Sequence, residues 1–167
     1  SLNSKFNNIS ISPTVYVRTH NDRFELFRSQ APAWYRGHNY HNTLVYGGKL
    51  IFSSLNYFGR TRLGGEYRLE KILSNVLGEP LLIPKPIKGF ADTTYTRGAS
   101  RNLFNAFADH TFYLDRLTLS AGGLVSLSNS YGVNWNYGLD LSYRFWRDLS
   151  AIASYSNAIR FPTFTEL

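Results

Sequence analysis

A strict alternation of apolar and polar side chains runs from position 133 to position 145 and fails only at Trp146. The apolar positions are Val133, Trp135, Tyr137, Leu139, Leu141, Tyr143 and Phe145. Successive side chains of a β-strand point to opposite faces, so this run predicts a strand with one apolar and one polar face. It is far longer than the usual strand of about 5–6 residues, and its length suits a tilted strand that crosses a bilayer core.

Similar runs recur along the chain and predict eight strands, at residues 8–19, 22–29, 42–55, 59–73, 100–114, 117–129, 133–146 and 149–158. Tight turns are predicted at 19–21, 56–58, 115–116 and 147–148, and longer links at 30–41, 74–99 and 128–132. Alternating tight turns and long loops are typical of up-and-down membrane barrels. The predicted fold class is therefore all-β, with antiparallel transmembrane β-barrel strands.

The net charge of +7 raises nucleic acid as a partner. The charged side chains, however, alternate with the apolar ones and carry both signs, as Arg60, Arg62, Glu66 and Arg68 show. A nucleic-acid interface needs clustered cations interleaved with exposed aromatic rings, so we predict no nucleic-acid partner. A polar lumen of this kind suits a water-filled channel or a polar plug, and the sequence leaves both open.

Aromatic side chains crowd the tight-turn ends of the predicted strands. They are Tyr57, Phe58, Phe112, Tyr113, Phe145 and Trp146. Outer-membrane barrels carry aromatic girdles at the membrane interfaces. The alternative is that these rings close the bottom of a soluble, lipocalin-like barrel.

Catalytic and metal sites find little support in the sequence. His38 and His41 have metal-pair spacing, but no cysteine exists and no nearby carboxylate completes a ligand set. Asp109 and His110 are adjacent and so point to opposite faces of their strand. His110 is either an interfacial side chain near a rim or a proton or metal site. We predict no enzyme activity, no metal and no cofactor.

Two links hold the side chains best suited to binding. The segment 31–42, "APAWYRGHNYHN", contains Trp34, Tyr35, Arg36, His38 and Tyr40, and such residue types are enriched at recognition hot spots. The link 74–99 is stiffened by prolines and contributes Lys85, Lys88 and Arg97. We predict ligand capture by these residues on the outer rim. A structural aromatic belt and a solvated basic loop are the alternatives.

Three segments resemble TonB-dependent outer-membrane receptors of the Bacteroidetes type. They are 59–81, "GRTRLGGEYRLEKILSNVLGEPL", 102–124, "NLFNAFADHTFYLDRLTLSAGGL", and 153–167, "ASYSNAIRFPTFTEL". The positions that match the family motifs are Arg68, Glu70, Ser74, Asn75, Gly78, Arg160, Pro162, Glu166 and Leu167. Segment 32–43, "PAWYRGHNYHNT", is most similar to receptors that resemble the vitamin B12 (cobalamin) transporter.

The resemblance implies energised import across the outer membrane of a Gram-negative bacterium. It implies a barrel of 22 strands around a plug on which the TonB complex pulls, and a large scarce ligand such as cobalamin or a siderophore. On this basis residues 1–167 are expected to be a mid-barrel fragment that lacks the plug, the signal peptide and the closing strands. The alternatives are a self-contained eight-stranded outer-membrane barrel of adhesin or anchor type and a soluble β-barrel carrier.

Overall fold

The computed structural model describes residues 4–6, 8–35 and 37–166, and almost all of them lie in or beside one antiparallel sheet. Within these residues the strands are β1 (Ser4–Phe6), β2 (Ile9–Phe24), β3 (Asn39–Asn56), β4 (Gly59–Ser74), β5 (Glu79–Ile87), β6 (Phe90–Leu114), β7 (Leu117–Ser128), β8 (Gly132–Trp146) and β9 (Leu149–Asn157). A single 3₁₀ turn, Phe164–Glu166, follows β9. No helix in the described ranges is long and apolar enough to span a membrane.

The strand order follows the chain: β1-β2-β3-β4-β6-β7-β8-β9, with β5 paired to β6. This antiparallel path of eight strands confirms the predicted all-β fold class. The register between β6 and β7 is unbroken from Leu103↔Ser128 to Leu114↔Leu117. The register between β7 and β8 is equally regular.

Two predicted connections are wrong. Residues 19–21 form no turn, because β2 continues through them and ends at Phe24. Predicted strand 8–19 therefore runs on into the first three residues of predicted strand 22–29, and residues 25–29 lie in no strand. The polar side chains of this segment contact the same strand and the neighbouring one. His20 Nε2 lies 2.7 Å from Asp22 Oδ1, and the side-chain amide of Asn42 donates to that of Asn21.

The predicted link 74–99 is also largely strand. It forms β5 and the first part of β6, which pair as an irregular hairpin. Pro84 and Pro86 lie within β5, whose only pairing partner among the described strands is β6. Proline is tolerated at a sheet edge, where its missing N–H breaks no second ladder.

The chain divides into two compact units. The first unit comprises Ser1–Tyr16, Gly47–Arg68 and Asn102–Phe161, and the second comprises Val17–Tyr46, Leu69–Arg101 and Pro162–Leu167. The second unit has a small buried core of Tyr40, Ile87 and Tyr95, against which Leu73 and Leu81 pack.

In the first unit the apolar face of the sheet is exposed. Trp135 is 70% exposed, and Leu139 and Leu141 on the same face are also exposed. All six predicted girdle residues are exposed too, beside the two-residue turns 57–58, 115–116 and 147–148. An apolar face left open in this way suits contact with lipid.

A β-bulge explains why the alternation fails at Trp146. The register shifts between Arg144 and Trp146, so Trp146 pairs with Leu149. Directly paired residues share a face, and Trp146 therefore lies with Phe145 on the apolar face, at a ring-centroid distance of 6.2 Å. Bulges commonly re-aim a side chain in this way.

Gly59 closes the turn at Tyr57 and Phe58 with a φ of +131°. A Cβ at this position would lie 2.0 Å from the carbonyl oxygen of Thr111. Only glycine combines this backbone conformation with so close an approach to the neighbouring strand.

Candidate functional site

Six rings in the second unit form a continuous chain of edge and tilted contacts, which we call the ring cluster. Its members are Phe27, Trp34, Tyr35, His38, Tyr40 and Phe90, with successive centroids 4.9–6.4 Å apart. The cluster connects the loop after β2 with the starts of β3 and β6. Aromatic pairs at such separations stabilise one another beyond the area that they bury.

Two members of the ring cluster, Tyr35 and His38, are held by side-chain hydrogen bonds. The hydroxyl of Tyr35 accepts from the N–H of Leu26 at 3.1 Å and lies 3.0 Å from His38 Nδ1. Tyr40 is only 7% exposed, whereas Trp34 is 66% exposed. Trp34 therefore presents a large ring to solvent from an otherwise fixed support.

A cation lies over the far end of the ring cluster. The guanidinium of Arg23 is 4.9 Å from the centroid of Phe90 and 5.6 Å from that of Tyr40. Arg23 Nε also lies 2.6 Å from Glu25 Oε1. Glu25 therefore balances part of the positive charge of Arg23. The sequence did not predict Arg23 as a ligand-binding residue, because its ring partners are distant in sequence.

The family-motif residues Ser74 and Asn75 anchor the end of the loop between β2 and β3. The side-chain amide of Asn75 accepts from the N–H of Tyr40 and donates to the carbonyl of His38, both at 2.8 Å. Ser74 Oγ lies 3.0 Å from His41 Nδ1 and accepts from the N–H groups of Val76 and Leu77. These two side chains fix the backbone on which the ring cluster rests.

The predicted basic residues are dispersed. Arg97 donates to the carbonyl of Gly78 at 2.9 Å, at a glycine whose φ is +95°, so it supports the turn after β4. Lys85 lies in β5 and Lys88 follows β5, and both are exposed. Arg36 lies outside the described residues.

A buried ion pair joins two further motif regions. Arg101, 5% exposed, lies with its Nη2 2.5 Å from Glu70 Oε2. The same guanidinium donates to the carbonyl of Pro162 and stacks 4.5 Å from the ring of Phe164. The sequence did not predict the role of Arg101. It showed only that Arg101 lies on the polar face of the predicted strand 100–114.

A cavity of about 350 Å³ opens beside this ion pair. Its lining carries both charge signs and consists of Arg18, Thr19, His20, Asp22, Thr43, Val45, Glu70, Arg101, Thr163 and Phe164. Such a lining suits a polar ligand group or a polar peptide segment.

The remaining residues of the family motifs are Arg68, Arg160, Glu166 and Leu167, and they do not form one site. Glu166 accepts from the N–H of Thr163 at 2.7 Å and so stabilises the 3₁₀ turn. Arg68 lies half-buried on β4, and Arg160 is exposed after β9. Leu167 lies outside the described residues.

The histidines do not converge on a metal site. His38 contacts Tyr35, whereas His41 contacts Ser74. Across the described part of the chain, no three His, Asp or Glu side chains lie close enough to hold an ion.

His110 and Asp109 also have separate partners. His110 lies 2.8 Å from Thr61 Oγ1 and 4.1 Å from the ring of Phe112. Asp109 accepts from Arg62 Nε at 2.9 Å. These contacts favour an interfacial role for His110 near the tight-turn rim.

A family model described as "TonB dependent receptor-like, beta-barrel" matches residues 1–167, the whole chain. The chain belongs to the TonB-dependent receptor-like β-barrel family. This is a family of transport receptors in the outer membrane of Gram-negative bacteria, not a family of enzymes. No curated protein and no solved structure matches the chain. Within the family motifs of this receptor barrel, Glu70, Ser74 and Asn75 hold strands and loops in place.

Proposed function

We propose that this barrel belongs to an energised receptor of the Bacteroidetes type that imports a large, scarce ligand such as cobalamin or a metal chelate. The TonB complex would act through a plug domain. Membership of the receptor family supports the outer-membrane location and transport. The observation that carries the ligand-binding part is Trp34, an exposed ring on a hydrogen-bonded support.

The ring cluster would contact the ligand through an apolar, planar surface. Cobalamin and many chelates offer extended flat or apolar faces, and large rings give much contact area at a low cost in conformational entropy. Lys85 and Lys88 on the β5–β6 hairpin would attract anionic groups of the ligand over a longer range. Arg36 remains a predicted ligand contact.

The test is a Trp34→Ala substitution in the full-length receptor. We expect the affinity for the transported ligand to fall about tenfold, since an exposed tryptophan at a recognition surface contributes on this scale. Binding of cyanocobalamin and of a ferric siderophore is measured on outer membranes from cells that produce each variant. A point substitution is better than deletion of residues 31–41, because Tyr40 and His41 belong to β3.

Trp135→Ala is the matched control, because Trp135 is similarly exposed but lies on the apolar face of β8. It should leave ligand affinity unchanged. If the Trp34→Ala receptor binds the ligand with wild-type affinity, the ring cluster does not take part in ligand capture. The receptor could then still import cobalamin or a siderophore through other contacts.

A further inference from the structure

Three arginines lie at two neighbouring tight turns of the first unit, and we call them the arginine rim. Arg116 is in the β6–β7 turn, Arg147 is in the β8–β9 turn, and Arg144 is near the end of β8. None of them has a role in the proposed ligand site. Together with Phe145 and Trp146 they line a depression of about 550 Å³.

Hydrogen bonds join the end of β8 to the β6–β7 turn. The N–H of Arg144 donates to the carbonyl of Arg116 at 2.8 Å, and Arg144 Nη2 donates to the carbonyl of Asp115 at 3.2 Å. Both contacts use backbone oxygens, so they leave the positive charge of Arg144 unneutralised. The position of the rim is thus fixed by the sheet.

The charge of the arginine rim is only partly offset. Asp115 and Asp148 lie in the same turns and bring two carboxylates against three guanidinium groups. Neither carboxylate forms an ion pair with a rim arginine among the described residues. The guanidinium groups of Arg116 and Arg147 therefore keep their donors available for an anion.

The aromatic neighbours place this cationic site at the membrane interface. Phe145 and Trp146 are 45% and 69% exposed, and the β-bulge puts both on the apolar face. Aromatic belts lie at the level of the lipid headgroups. Cations just beyond such a belt are positioned to meet headgroup phosphates.

We propose that Arg116 and Arg147 of the arginine rim bind the phosphate of a phospholipid headgroup, with Phe145 and Trp146 against the glycerol and upper acyl chains. The lipid belongs to the leaflet on the side of the tight turns, which in outer-membrane barrels is the periplasmic one. Arginine suits this ligand because its planar fork can donate two hydrogen bonds to one phosphate. The proposal depends on the membrane barrel and not on the identity of the transported ligand.

The experiment compares full-length receptors in detergent by native mass spectrometry during titration with dioleoylphosphatidylglycerol. Arg116→Gln with Arg147→Gln should weaken lipid binding about 30-fold. Arg116→Lys with Arg147→Lys should bind with an affinity between those of the wild type and the glutamine variant, because the charge remains but the two-pronged hydrogen bonds are lost. A dioleoyl galactosyl lipid, which lacks phosphate, should bind weakly to all variants.

Arg28→Gln with Lys71→Gln removes the same charge from two other exposed positions and should leave lipid binding unchanged. Inorganic phosphate at the same concentration as the lipid should not displace the lipid, because free phosphate makes no contact with Phe145 and Trp146. The proposal is overturned if the control loses as much binding as the arginine variant. It is equally overturned if the galactosyl lipid binds as well as phosphatidylglycerol, or if free phosphate competes on equal terms.

Discussion

Replacing Arg101 by leucine in the full-length receptor is expected to lower the free energy of unfolding by about 3–5 kcal/mol. The substitution takes the guanidinium of Arg101 away from the carboxylate of Glu70, whose side chain is only 11% exposed. It also removes the donor to Pro162 and the cation over Phe164. The loss is measured from the urea dependence of unfolding in lipid vesicles.

The arginine of a more exposed ion pair provides the control. Arg62 pairs with Asp109, but its side chain is 47% exposed, so Arg62→Leu should cost only about 0–1 kcal/mol. Glu70→Leu combined with Arg101→Leu should cost less than Arg101→Leu alone, because the double variant also removes the buried carboxylate that Arg101 stabilises. Equal losses for Arg101→Leu and Arg62→Leu would contradict the buried-pair interpretation.

Asn75→Leu is expected to lower the free energy of unfolding by about 2–3 kcal/mol and to release the loop after β2. Leucine has a similar volume but leaves the N–H of Tyr40 and the carbonyl of His38 without the partners that Asn75 supplies. Each unsatisfied backbone group costs about 1–3 kcal/mol when it is shielded from water. Limited proteolysis of the full-length receptor should show faster cleavage between residues 25 and 38.

Asn134→Leu is the comparison, because Asn134 is a partly exposed asparagine of β8. It should change neither stability nor cleavage by a comparable amount. If the loop of the Asn75→Leu receptor resists protease as the wild type does, the amide does not anchor the loop.

Period-two alternation predicted the regular strands well, because one apolar face specifies both the strand and its register. The predicted strands 117–129 and 133–146 correspond to Leu117–Ser128 and Gly132–Trp146. The turn predicted at 19–21 failed because its polar residues find partners on the same and the neighbouring strand. The β5–β6 hairpin was missed because prolines indicate a loop until an edge position is known.

The candidate site was predictable only in part. The aromatic composition of the loop drew attention to Trp34 and Tyr35, since those residue types cluster within one short segment. The pairing of Arg101 with Glu70 spans 31 positions, and the supporting role of Asn75 spans 35 positions to Tyr40. Contacts at such separations depend on strand order, and no local pattern encodes them.

The contacts of Arg101 also imply an order of assembly. Its bond to Glu70 closes 31 positions of chain, whereas its bond to Pro162 closes 61. Closing a longer loop costs more conformational entropy, so contacts between distant parts of the chain form more slowly. Since β7, β8 and β9 lie between Arg101 and Pro162 in the sequence, pairing of these strands shortens the effective loop, and we expect the 3₁₀ turn to dock after them. Closure of the polar cavity, to which Thr163 and Phe164 contribute, is therefore expected to be a late step in the maturation of the barrel.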